Sequence, residues 1–254
     1  MVKIVFKILK EFMEVSKLLE LEHISKEYKN KKALKDVNLI FENGIYGLLG
    51  PNGAGKSTLM NIITGNLSPT QGNVKWNKED IKKLRASYRS LLGFAPQQQG
   101  MYDSFSGTRF LSYMATLKGI PKKELNNEIK RVLNYVNMME VKDQKIGTYS
   151  GGMKQRILIA QAILGNPKIV VLDEPTAGLD PKERVRIRER ISTLSKEKII
   201  LVSTHVVSDI ESVANKIILI KKGKIIDTDS VEALCEKNNV SSLEEVYMKL
   251  FGDE

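Results

Sequence analysis

One run of eight residues constrains this chain more than any other: Gly50-Pro51-Asn52-Gly53-Ala54-Gly55-Lys56-Ser57. It follows an apolar stretch, Ile45–Leu49, and precedes a helical pattern that starts near Lys56 and ends near Gly65. Glycines at these positions let the backbone wrap an anion so that several N–H groups point inward, and the positive end of the helix adds to the attraction. The spacing fits G-x-x-x-x-G-K-[ST], in which Lys56 reaches the β- and γ-phosphates of a nucleotide and the Ser57 hydroxyl ligates Mg²⁺. Thr58 completes the candidate phosphate-contacting set. A chance glycine turn would not place strand, loop and helix in register.

Two further runs carry chemistry. Ile169-Val170-Val171-Leu172 is an apolar strand that ends on Asp173 and Glu174. In a parallel sheet the strand ends face the ligand crevice, so these carboxylates are placed to hold Mg²⁺ through water (Asp173) and to orient an attacking water (Glu174). Alone, such a pair could be a surface cap; beside a phosphate loop it becomes specific. Tyr149-Ser150-Gly151-Gly152-Met153-Lys154-Gln155-Arg156 puts a good N-cap and two glycines at a helix start, a second potential anion site, although an ordinary serine-capped helix has the same pattern.

The Ser150-Gly151-Gly152 run, standing shortly before the acidic strand, resembles the signature loop of the ATP-binding cassette (ABC) ATPases. Other positions are then similar to elements of that family. Tyr28 resembles the aromatic residue that stacks on adenine. Gln97, first of three consecutive glutamines, resembles the residue that joins Mg²⁺ and water to a membrane partner. Ala177-Gly178-Leu179-Asp180 resembles the loop that communicates across a dimer, and His205 the switch histidine that touches the γ-phosphate. Tyr149 and Met153 depart from the usual Leu and Gln, but neither position owes a polar group to phosphate. The resemblance covers roughly residues 18–223. It implies ATP and Mg²⁺ as cofactors, Gln97, Glu174 and His205 as catalytic residues, and Ser57, Gln97 and Asp173 at the metal. It also implies a homodimer, or a dimer with a related ATPase, in which Ser150, Gly151, Gly152 and Asp180 serve the partner's nucleotide. A separate transmembrane permease would complete a transporter, with this chain on the cytoplasmic face of the membrane. Gly107–Ile120 and the 181–195 region look similar to ATPase subunits of bacterial exporters.

The implied fold is α/β: a P-loop NTPase core with a mostly parallel sheet, an N-terminal antiparallel β subdomain and a helical insertion subdomain. The patterning agrees. Strands are expected at Leu18–Tyr28, Val37–Phe41, Ile45–Leu49, Val74–Asn77, Ile169–Leu172 and Ile199–Ser203, with a turn from Pro69 to Gly72. A hairpin is expected around Lys221–Lys224. Between about Gln98 and Gly165 the β-branched runs stop. Helical spacing takes over at Arg109–Lys118, Lys122–Asn137 and Ser150–Leu164, so the core divides into 18–97 and 166–230 around an insertion at 98–165. A helix should cover Pro181–Ser195, and residues 241–254 read as a C-terminal helix. Residues 1–17 form a basic amphipathic pattern that suits an anionic membrane, a partner surface or packing on the chain's own domain.

Composition narrows the alternatives. A chain of 254 residues with 42% apolar content can bury a substantial core. No stretch approaches the ~20 apolar residues of a spanning helix, and the lysine-interrupted N-terminus does not read as a signal peptide. Cys235 is the single cysteine, so no intrachain disulfide forms. The net charge of +10 fits an anionic partner or plain solubility. The lysines are scattered, and no nucleic acid is expected. ABC ATPases of DNA repair interrupt the cassette with a long coiled coil, whereas here only about 110 residues without heptads separate the two core motifs. Translation factors of the superfamily carry tandem cassettes, and this chain has room for one. A relict scaffold would have lost Lys56, Asp173 or Glu174. For a membrane partner, the segment from about Gln98 to Phe110, with Met101, Tyr102, Phe105 and Phe110, is the expected docking surface.

Overall fold

Strands that are apolar at consecutive positions must be covered on both faces. In the computed structural model, which describes residues 18–97, 100–194 and 197–252, such strands form the centre of a six-stranded sheet. Its members are β3 (Gly44–Leu49), β6 (Leu92–Ala95), β7 (Ile169–Asp173), β8 (Ile199–Thr204), β9 (Lys216–Lys221) and β10 (Lys224–Asp229). The order is β10-β9-β3-β8-β7-β6. All neighbours are parallel except the β9–β10 hairpin. Period-two alternation divides each strand between two cores. Ile45, Leu49, Val170, Leu172, Ile200 and Val202 face one cluster; Tyr46, Leu48, Ile169, Val171, Ile199 and Leu201 face the other. Each such side chain contributes about 1.5–3 kcal/mol by leaving water.

The second cluster is closed by a four-stranded sheet ordered β2-β1-β4-β5. Its strands are β1 (Leu19–Tyr28), β2 (Lys31–Phe41), β4 (Gln71–Trp76) and β5 (Glu79–Asp80), joined antiparallel. Two expectations are corrected here. β2 starts at Lys31 rather than Val37, because its lysine-rich first half pairs with the end of β1 through backbone bonds alone. Residues Gln71 and Gly72 belong to β4 rather than to a turn. Gly72 lies against a bulge in β1 at His23 (φ 51°). A Cβ there would come within 2.3 Å of the Glu22 and His23 carbonyl oxygens, so only glycine fits.

Helix α1 (Lys56–Ile63) follows the glycine run. Two short helices, α2 (Ile81–Leu84) and α3 (Ala86–Leu91), and strand β6 were not anticipated. Four-residue elements carry too little periodicity to stand out. The helical stretch contains α4 (Gly107–Leu117), α5 (Lys122–Tyr135) and α6 (Gly151–Ala162). In α6, Ile157, Leu158, Ile159, Ala160 and Ala162 are all buried, and the helix packs on α4, α5, β6 and β7. Helix α7 (Pro181–Leu194) joins β7 to β8. At the C-terminus, α9 (Leu243–Phe251) is preceded by α8 (Val231–Asn238), also not anticipated. The 1–17 amphipathic pattern lies outside the described residues, as do Gln98 and Gln99. Phe110 is corrected as a docking residue: at 1% exposure it belongs to the core, while Tyr102 is 52% exposed and stacks on Phe105 at 4.8 Å.

Candidate nucleotide site

The ends of β3, β7 and β8 lie in register, Leu49 beside Thr204 and Asp173 beside Ser203, so the loops after them emerge at one edge of the sheet. They wall a cleft of about 530 Å³ lined by Tyr28, Lys31, Ala33, Asn52, Gly53, Gly55, Lys56, Ser57, Thr58, Gln97, Asp173, Glu174 and His205. Residues read from five separate stretches of sequence thus meet on one surface. Lys31 and Ala33 were missed. Lys31 pairs with Tyr28 across a two-residue turn, a weak signal in a lysine-rich stretch.

The glycine loop is formed by backbone geometry that side chains resist. Gly55, at φ 114°, caps the start of α1. A Cβ on Gly50 would come 2.2 Å from the Ile220 carbonyl oxygen. The Lys56 ammonium is buried and donates to the carbonyls of Gly50 (2.6 Å) and Pro51 (3.2 Å), tying the loop to its own helix. Burial lowers the Lys56 pKa, and the charges of Glu174 and Asp173 oppose that shift. Ala54 is buried behind the loop, where its carbonyl accepts from Gly223 N at 2.9 Å.

The acidic pair sits at the end of β7. Ser203, the one polar residue before Thr204 in the buried β8, donates through its hydroxyl to Asp173 Oδ1. Glu174 is in the left-handed region (φ 49°), and its N–H donates to the Ser203 carbonyl and hydroxyl oxygens, both at 3.1 Å. A non-glycine residue there stores strain, and such strain clusters at functional sites. Glu174 is 6% exposed, and its Oε2 lies 2.9 Å from His205 Nδ1, whose side chain is 52% exposed. Gln97 is exposed on the same cleft, and Tyr28 stands 45% exposed at its mouth with Lys26 Nζ 5.2 Å from the ring centroid. The donors that could take Mg²⁺ are the hydroxyl of Ser57, the carboxylate of Asp173 and the amide oxygen of Gln97. These are hard oxygens too few to cage an ion without substrate phosphates, as Mg²⁺ sites commonly are. In keeping with that, no group of three or more His, Cys, Asp or Glu suited to a metal occurs among the described residues.

Ser150, Gly151, Gly152 and Asp180 do not line this cleft. Ser150 caps α6 by accepting from Met153 N at 3.2 Å, and Asp180 caps α7 by accepting from Glu183 N at 2.9 Å. The two helix starts are neighbours, since a Cβ on Gly152 would lie 3.5 Å from Glu183 Cγ. Ser150, Gly151, Gly178 and Asp180 are exposed, so these loops present a second surface to solvent. A separate cavity of about 430 Å³, between α6 and α7, is lined by Arg156, Arg186 and Arg190 among others and holds none of the predicted residues.

Residues 34–177, more than half of the chain, match the family described as ABC transporter. The chain belongs to the ABC transporter family. It is 39% identical over 209 residues (82% of this chain, 69% of the relative) to the uncharacterized ABC transporter ATP-binding protein YxlF of Bacillus subtilis. It is 32% identical over 222 residues (87% and 71%) to the linearmycin resistance ATP-binding protein LnrL of the same organism. It also matches ABC transporter A family member 8 of Dictyostelium discoideum at 36% identity over 78% of this chain, but spans only 24% of that protein. Among solved structures, an ATP-binding subunit of an ABC transporter superposes with TM-score 0.82 at 26% identity, covering 92% of this chain and 99% of that one. The dimeric post-hydrolysis state of the ATP-binding cassette MJ0796, bound to ADP and Pi, gives TM-score 0.74 at 27% identity (84% and 98%). This ABC chain is therefore an ATP-binding subunit with an ABC ATPase domain. None of its described helices is long and apolar enough to cross a membrane.

Proposed function

We propose that this ABC chain hydrolyses ATP in the described cleft and powers a transporter, an exporter, through a separately encoded permease. The observation that carries the hydrolytic reading is the Glu174–His205 pair at 2.9 Å in one cleft with Lys56 and Asp173. Phosphoryl transfer to water needs neutralised charge and an oriented nucleophile more than covalent chemistry. The amides of the Gly50–Ser57 loop and Lys56 bind the phosphates, with Thr58 beside them, and Tyr28 stacks on the base. Glu174 Oε2 accepts the proton of the attacking water, while His205 and Gln97 orient it toward the γ-phosphate. Ser57, Gln97 and Asp173 would hold Mg²⁺, which when bound would neutralise phosphate charge.

In a dimer, Ser150, Gly151, Gly152 and Asp180 of one subunit close the nucleotide site of the other, which accounts for two anion-seeking loops on two separate surfaces. Export is supported by the resistance function in the name of LnrL. For the permease, the supporting surface is a cavity of about 600 Å³ walled by Phe94, Pro96, Met114 and Leu117, beside the strand that leads to Gln97. The Tyr102–Phe105 stack lies in the same stretch of chain that follows Gln97. A permease seated there puts the chain on the cytoplasmic membrane face and senses the nucleotide through Gln97.

Two experiments test this. Glu174→Gln should retain ATP binding, accumulate the ATP-bound dimer and lose hydrolysis by roughly 10²–10⁴-fold; a parental rate removes Glu174 from its role. Tyr102→Ala with Phe105→Ala should leave the isolated subunit folded and hydrolysing while abolishing co-purification with its permease. Undiminished co-purification places docking elsewhere.

A further inference from the structure

His205 approaches Glu174 from the end of a different strand and is half exposed. The distance between them must be fixed by what holds the two loops together. Behind the cleft lies a buried polar knot. The Thr176 hydroxyl, two residues beyond Glu174, donates to Asp209 Oδ2 at 2.6 Å, and Asp209 stands four residues beyond His205. Thr176 is 3% exposed and Asp209 6%. A carboxylate this deep needs a cation, and Arg184 of α7 supplies it, with its Nη1 at 3.6 Å from the same oxygen. Arg184 Nε also donates to the Leu179 carbonyl at 3.0 Å, and Arg188, one turn on, donates to the carbonyl of Ser208. Further back, Leu243 N at the start of α9 donates to Glu211 Oε1 at 3.0 Å.

Apart from the Leu243–Glu211 bond, which ties the stretch after β8 to α9, each of these contacts joins the loop after β7 to the loop after β8, or pins one of them to α7. We propose that Thr176, Asp209 and Arg184 form a positioning clasp that sets the Glu174–His205 distance, so that movement of α7 is felt at the γ-phosphate. Glu174 holds a strained backbone conformation, which persists only where its surroundings over-determine it. Besides the Glu174–His205 contact itself, the bond between Thr176 and Asp209 links the two loops directly through side chains. Their bond is fully desolvated, which makes its geometry strict and its loss costly. None of the three residues lines the nucleotide cleft, so they act through Glu174 and His205 and not on substrate. α7 begins at the loop of Asp180, which is exposed and does not line the cleft, so the clasp would give that surface a mechanical route to the reacting centre.

The inference rests on the hydrolytic reading above, and the experiment separates the two. Steady-state ATP hydrolysis and nucleotide affinity are measured for Thr176→Val, Thr176→Ser, His205→Ala and the double variant Thr176→Val/His205→Ala. Thr176→Val keeps the side-chain volume and removes only the hydroxyl. We expect kcat to fall by roughly tenfold with nucleotide affinity within about twofold, and Thr176→Ser to restore most of the rate. In the His205→Ala background the same change should alter kcat by less than about twofold, because a residue acting through His205 has nothing left to position. A role confined to stability would lower both backgrounds by the same factor, and that additive result overturns the proposal. So does an unchanged kcat in Thr176→Val. Should Thr176→Val fail to fold, Asp209→Asn, which can still accept from Thr176 but no longer pairs with Arg184, is carried through the same cycle with the same criteria. If His205→Ala alone hydrolyses at the parental rate, the hydrolytic assignment of His205 fails, independently of the clasp.

Discussion

Glu174 combines two features that rarely coincide by accident: a left-handed backbone (φ 49°) and a buried carboxylate aimed at a histidine from another strand. Strain of this kind costs roughly 1–3 kcal/mol, and the two bonds from its N–H to Ser203 hold it in place. In the proposed mechanism such a residue is poised before substrate arrives, so Glu174→Gln should change the chemistry and leave the loop standing. Tyr28 is the opposite case, an exposed ring held by little beyond Lys26. Tyr28→Ala should weaken nucleotide binding by about 1–2 kcal/mol, for ATP and GTP alike, since stacking reads a π-face and not a pattern of donors. Equilibrium titration with both nucleotides checks this. Unchanged affinity would assign the base to another aromatic, and a loss for ATP alone would contradict stacking as the mechanism.

At the scale of elements, the junction of the helical region with the parallel sheet is unusually tight. A Cβ on Gly93 in β6 would come 1.8 Å from the Ala162 carbonyl oxygen at the end of α6, so the strand and helix touch through bare backbone. Gly93→Ala should destabilise the chain by about 2–3 kcal/mol in urea melts and disturb Gln97, which follows the same strand; a variant of parental stability would mean that α6 shifts freely. The same helix end is capped by Lys118, whose ammonium donates to the Leu164 carbonyl, and by Arg131, which donates to that of Ile163. Burial drives the Lys118 pKa from 10.5 down to about 8, with Glu128 raising it and Arg131 lowering it. Between those two values the folded chain binds fewer protons than the unfolded chain, so stability rises with pH across that window. Measured against Lys118→Met, the parental chain should gain at most about 2–3 kcal/mol between about pH 7 and about pH 10. A pH-independent difference would mean that the ammonium is solvated in the fold.

Across the whole molecule, the Gly50–Ser57 loop lies on the cleft, whereas the Ser150 loop lies outside its lining at the exposed start of α6. In the proposed dimer the Ser150 loop serves the partner's nucleotide. Ser150→Arg should preserve nucleotide binding by the isolated subunit, because the chain's own cleft is untouched, and should abolish ATP-driven dimerisation, read by gel filtration or light scattering. Mixed with Lys56→Ala subunits, it should yield dimers with at most one intact site. Loss of nucleotide binding in the Ser150→Arg monomer would contradict a role toward the partner.

The residues that meet in the cleft were legible in the sequence because their signals are local. The glycine spacing from Gly50 to Ser57 dictates a tight loop between β3 and α1 by backbone sterics alone. The apolar runs ending on Asp173 and Ser203 dictate buried parallel strands by the absence of any polar face. Elements with little local signature were not legible. β6 and the first half of β2 are strands because neighbours pair with them, and Gly72 is in β4 because the β1 bulge leaves no room for a side chain. Phe110 looked like a docking residue until packing put it in the core. The site shows the same division. Sequence named Glu174 and His205, but their 2.9 Å approach, the Ser203 hydroxyl on Asp173 and the Thr176–Asp209–Arg184 clasp join residues about 30 positions apart or bring in a helix between them. Local sequence selects which backbone conformations are cheap; which loops meet at a strand end depends on sheet order and register, and those are settled only when distant strands pair.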